Sequence, residues 1–149
     1  MTDLYEKDTY SWAMQQADAL RRRSANEIDW ENVAEEIESV GKSQSSELYS
    51  RYVVLLTHLL KWVFQPGRRS RSWEASIRVQ RVDIARLIDA NPGLQPKRDE
   101  IFGAAYRTAR LAATGETDLQ VETFPETNPF TLAEAMDENF WPEAGDPGK

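Results

Sequence analysis

The run from Tyr52 to Phe64, YVVLLTHLLKWVF, restricts the fold more than any other part of the chain. From Val53 onward it is apolar nearly all round a helical cylinder, which marks the central helix of a bundle. Gln65-Pro66-Gly67 then stops it, because proline cannot continue the hydrogen-bond ladder and disfavours helix in the residue before it. Thr57, His58 and Lys61 interrupt the run, and a membrane span needs ~20 apolar residues, so no membrane segment is expected.

The helical period governs the rest. A first helix is expected from Asp8, a natural N-cap, to Arg23, with Ala13, Ala17 and Leu20 on its inner face beside Trp12. Arg21, Arg22 and Arg23 suit its carboxyl end. A second helix begins near Asp29 with Val33, Ile37 and Val40 inward, and Gly41 either ends it or bends a longer helix. The central helix spans Ser43 to Phe64. A fourth runs from Ser72 to Ala90, with Trp73, Ile77, Ile84, Leu87 and Ile88 inward and Arg78, Arg81 and Asp83 pointing elsewhere. A fifth runs from Pro96 to Ala113, stopped by Gly115. Beyond it the chain reads as extended or turning, apart from a short helix at Leu132 to Glu138 opened by a Thr131/Glu134 capping box. The expected fold is all-α: a single-domain bundle of about five main helices over residues 1–142, with a frayed tail at 143–149.

The 149 residues carry 18 bases and 25 acids, a formal charge of -7. With no cysteine there is no disulfide framework, zinc ribbon or thiol nucleophile, and one histidine excludes any mechanism needing two. Asp3, Glu6 and Asp8 have the wrong sign for a signal peptide, so a soluble cytoplasmic chain is expected. The charge is segregated. Residues 61–86 hold seven bases against two acids, whereas residues 116–149 hold nine acids against Lys149.

Several separated blocks point to a family. Asn32 to Gly41 with its Glu35-Glu36-Ile37-Glu38 centre, His58-Leu59-Leu60-Lys61-Trp62, Arg68-Arg69-Ser70-Arg71-Ser72-Trp73 and Thr123-Phe124-Pro125-Glu126-Thr127 stand in order. The chain resembles, from about Tyr5 to Pro142, the bacterial domain-of-unknown-function family numbered 29. That resemblance implies a small all-helical bacterial cytosolic protein and no particular activity. Asn128-Pro129-Phe130 departs from the Cys-Pro-Tyr it implies, so chemistry at such a cysteine is closed to this chain.

Two constellations could carry function. The first is a polar pocket of Glu36, His58, Lys61 and Arg69, which would join a general base to cations. Its competitor is a half-buried His58 satisfied by a carboxylate or carbonyl. Glu31, Glu35 and Glu38 read as a solvated face. A di-iron bundle is excluded, because Leu55 and Lys61 stand where Glu-x-x-His spacing about His58 would need carboxylates. The second constellation is the basic loop and helix start with Arg68, Arg69, Arg71, Trp73 and Arg78, where arginine forks and free N–H groups suit an anion. A pI of about 4.8 argues against a dedicated nucleic-acid domain, and the arginines could instead pair with Glu35, Glu36, Glu38 or the acidic tail.

The expected role is a non-enzymatic interaction or regulatory module that binds an acidic partner, nucleic acid among the candidates, through this Arg/Trp surface. The alternative is an enzyme or small-ligand binder using the Glu36, His58, Lys61 and Arg69 pocket. No cofactor, metal or catalytic residue is assigned. Five tryptophans suit docking surfaces, so a protein partner or a homodimer fits.

Overall fold

The computed structural model describes residues 2–143, with side-chain environments from Leu4 onward, so of the expected frayed tail only Glu143 lies within the described residues. These residues form six α-helices and no strand: α1 (Thr2–Lys7), α2 (Thr9–Arg22), α3 (Trp30–Phe64), α4 (Arg71–Ala90), α5 (Arg98–Thr117) and α6 (Leu132–Met136). The all-α expectation holds. No helix among them is long and apolar enough to cross a membrane.

Local chemistry sets most of the boundaries. Asp8 caps α2 by accepting from the Ser11 N–H at 3.0 Å, and Arg23 closes it in the left-handed conformation at φ 58°. Ser70 caps α4 by accepting from the Trp73 N–H at 3.2 Å. The capping box opens α6 as expected, with the Thr131 hydroxyl and Glu134 carboxylate bonding reciprocally, but the helix ends at Met136 rather than Glu138. Of the two readings open at Gly41 the longer helix holds, in the single 35-residue α3. Gly115, expected to act as a stop, does not: α5 continues through it to a left-handed cap at Asp118. An isolated glycine inside a helix costs only about 1 kcal/mol, which neighbouring good helix formers outweigh.

Contacts divide the chain into two compact units, Met1–Ser43 and Gln44–Lys149. The first is held by polar bonds around one indole. Tyr5 packs edge-on against Trp12, with centroids 4.6 Å apart. The Trp12 indole N–H donates to Asp29 at 3.1 Å, the Asp29 N–H donates to Gln16 at 2.7 Å, and the Tyr5 hydroxyl donates to Glu36. The expected inner faces are corrected here. Trp12 and Ala19 are the buried residues of α2, while Ala13 and Leu20 are exposed, and on α3 Ile37 and Val40 are exposed. The indole, not the stripe of smaller residues, selects the covered side.

The second unit has the bundle core. Leu48, Tyr52, Leu55, Leu56, Leu59, Leu60 and Val63 of α3 are fully buried, against Ile77 and Ile84 of α4, Phe102, Ala105 and Tyr106 of α5, and Phe124 and Phe130 beyond it. Each such aliphatic side chain stabilises the fold by about 1.5–3 kcal/mol. Edge-to-face pairs Tyr52–Phe102 and Phe64–Phe124, at 5.2 and 5.3 Å, orient the packing.

Candidate functional site

The basic segment begins where α3 ends. Pro66 starts a single 3-10 turn, Pro66–Arg68, and Ser70 then caps α4, so bases from the end of α3 and the start of α4 come close in sequence on either side of a tight turn. The fold then sorts these bases into two sets.

One set is turned inward. Lys61 is 7% exposed, and its ammonium lies 2.8 Å from Glu116 and 4.8 Å over the Trp73 ring. Arg69, half-buried, donates from Nε to the Trp62 carbonyl at 2.8 Å and from Nη2 to the Pro142 carbonyl at 3.4 Å, with its guanidinium over the Trp62 ring. Arg81 is 5% exposed; Nε donates to the Ala135 carbonyl at 2.7 Å and Nη2 to the Phe140 carbonyl at 2.9 Å. Burial lowers the Arg81 pKa, and Asp137 opposes that effect. Two arginines thus hold the acidic carboxyl-terminal segment by its backbone carbonyls, not by its carboxylates. Carbonyls satisfy a buried guanidinium fork without bringing a second charge out of water.

The other set faces outward. Arg68, Arg71 and Arg86 are exposed, and among the described residues their side chains make no hydrogen bond or ion pair. Arg78 is exposed too, pairing with Glu74 at 3.0 Å and lying 5.0 Å from the Trp141 ring centroid. Of the five residues expected to form the anion surface, Arg68, Arg71 and Arg78 face solvent, while Arg69 and Trp73 are half-buried and serve the fold.

The four residues of the expected polar pocket each have separate partners. Glu36 lies in the first unit and accepts from Tyr5. His58 is half-buried, its Nδ1 2.9 Å from the Val54 carbonyl of its own helix. Lys61 and Arg69 are engaged as above. No hydrogen bond or ion pair among the described residues joins any two of the four. Nor do three His, Asp or Glu side chains converge there in a way that could hold a metal ion. Glu31, Glu35 and Glu38 are exposed, as expected of a solvated face.

The residue that sequence reasoning missed is Arg81, expected to point away from the core. Its signal was present: Ile77, Arg81, Ile84 and Ile88 follow the i, i+4, i+7, i+11 spacing of one buried stripe.

A family model described as domain of unknown function DUF29 matches residues 4–141. No curated protein and no solved structure matches the chain.

Proposed function

We propose that this chain, which belongs to the DUF29 family, is a non-enzymatic interaction module that binds an acidic partner through the outward arginines at the start of α4. The observation that carries the reading is the sorting of the basic segment. Lys61, Arg69 and Arg81 stabilise the fold, whereas the Arg68 and Arg71 side chains make no hydrogen bond or ion pair among the described residues. They flank the Ser70 cap, where the free N–H groups and dipole of a 20-residue helix add to an anion's attraction.

The test is binding of labelled single- and double-stranded DNA, RNA and polyglutamate at ~50 and ~200 mM salt, a range over which phosphate contacts weaken steeply. Arg68→Glu with Arg71→Glu is expected to abolish binding or to reduce its salt slope by about 2. Absence of salt-sensitive binding to every polyanion, or binding that the double variant leaves intact, would sink the reading.

A second reading, self-association, is favoured by one face of the first unit. Trp30, Ala34, Ile37 and Gly41 lie on one side of α3 and all are exposed, Trp30 by 60% and Ile37 by 67%. Large and small residues alternate along this face. In an antiparallel pair of copies Trp30 falls opposite Gly41 and Ala34 opposite Ile37, each knob meeting a hole under two-fold symmetry. The flanking Glu31, Glu35 and Glu38 would repel their counterparts, so such a dimer tightens as salt rises, opposite to the behaviour of the arginine surface. Sedimentation at ~50 and ~500 mM salt tests this. Ile37→Glu should leave only monomer, and a chain monomeric at high salt and high concentration excludes it.

A further inference from the structure

Two buried polar side-chain atoms among the described residues have no hydrogen-bond partner: Arg81 Nη1 and the Tyr52 hydroxyl. Both residues line adjoining concavities of the second unit. Arg78, Arg81 and Val82 border one of about 570 Å³. Tyr52, Arg98 and Leu132 border one of about 200 Å³. Ala85 and Met136 line both, so the two form one groove along α4 and α6. Its combined size is that of a site for a small organic molecule, ~300–1,000 Å³.

The groove has a consistent chemistry. At one end a guanidinium 5% exposed has no carboxylate partner; it bonds two carbonyls, lies 5.3 Å from the Trp141 ring centroid and keeps one nitrogen without a hydrogen bond. Native folds seldom leave a buried donor so, and each exception calls for a partner. The middle, Val82, Ala85 and Met136, is apolar. At the far end stand the fully buried Tyr52, with its unpaired hydroxyl, and Arg98. Glu138 and Asp89 line the two ends, so a multiply charged anion such as phosphate meets stronger repulsion than a monoanion.

We propose that this groove binds a small organic carboxylate, its head accepting from Arg81 beside Arg78 and its apolar body lying over Ala85 and Met136 toward Tyr52. Arg81 Nη1 is covered in this conformation. Met136, unbranched and at the end of the five-residue α6, is the adaptable part of the wall. The site is separate from the Arg68 and Arg71 surface and does not rest on that reading.

The experiment titrates the full ¹⁵N-labelled chain with octanoate, octanamide and inorganic phosphate, following the Arg81 Nε–H and Trp141 indole resonances. Octanoate is expected to produce saturable shifts, with octanamide at least tenfold weaker and phosphate without effect. Ala85→Trp fills the shared floor from an exposed position and should abolish the shifts while the melting temperature holds. Tyr52→Phe, which removes a hydroxyl that the apolar tail leaves unpaired, should leave octanoate binding at least as tight at unchanged fold. No saturable binding of octanoate overturns the proposal. Equal binding of octanamide, or binding unaffected by Ala85→Trp, does so as well.

Discussion

Arg23 and Asp118 are the two non-glycine residues with positive φ among those described, at 58° and 61°, each closing a helix. A left-handed backbone costs a residue with a Cβ about 1–2 kcal/mol, and glycine avoids that cost. Arg23→Gly is therefore expected to stabilise the chain by up to about 1 kcal/mol in urea unfolding; a loss of stability would mean that the arginine side chain matters more than its backbone. Lys61 calls for the opposite experiment. Its ammonium is buried while Glu116 is about half-exposed. Glu116→Gln strands the charge and should cost about 1–3 kcal/mol, and Lys61→Met, which keeps the apolar stem and removes the charge, should cost less. Unfolding of both variants decides the order, and the reverse order would mean that the ion pair itself, not the relief of a buried charge, stabilises the site. Sequence could not reveal this pair, because its members lie 55 positions apart.

At the scale of elements, α3 runs unbroken for 35 residues. Gly41 is exposed within it, and a Cβ there would meet nothing within 4 Å. Gly41→Ala should raise stability by about 1 kcal/mol, the difference in helix propensity, as read by chemical denaturation. An unchanged midpoint would show that the helix frays there. Helices were legible in the sequence wherever their ends are written in local chemistry: Asp8, Pro66 and Thr131 each act within three or four residues. The stop inferred from Gly115 alone failed, since glycine permits a helix to end without requiring it. The inner faces of α2 and α3 failed in the first unit for another reason. Periodicity identifies an apolar face but not whether the fold covers it, and Ile37 and Val40 are left in solvent.

For the whole molecule, acid and alkali act on different groups. In the first unit, bonds from Arg22 and then Ser24 hold Glu27 down at about 2, and hydrogen bonds from Ser11 and Asn32 lower Asp8 and Asp29 respectively. These carboxylates bind protons less readily in the folded chain, so their contribution is complete above about pH 4.5 and is lost as pH falls toward 2. Protection factors of the amides of residues 9–43, taken relative to intrinsic exchange at each pH, should fall across that window; flat protection would contradict it. In the second unit, burial pushes Tyr52 and Tyr106 up to about 12. The fold favours their neutral forms, so the stability they add is present below pH 10 and lost as pH rises through about 12. Absorbance at 295 nm should show these two ionising together with unfolding.

The sequence by itself determined the all-α class, the central helix and the approximate helix boundaries, because hydrogen-bond spacing, capping and proline exclusion act between near neighbours. Only the tertiary structure decided which arginines hold the chain together and which face outward. Arg81 is turned inward by carbonyls 54 and 59 positions away, whereas the Arg68 and Arg71 side chains find no hydrogen-bond or ion-pair partner among the described residues. Charge and residue type are the same in both cases. What separates them is the burial created by distant segments folding back, a property of the assembled core that no local pattern encodes.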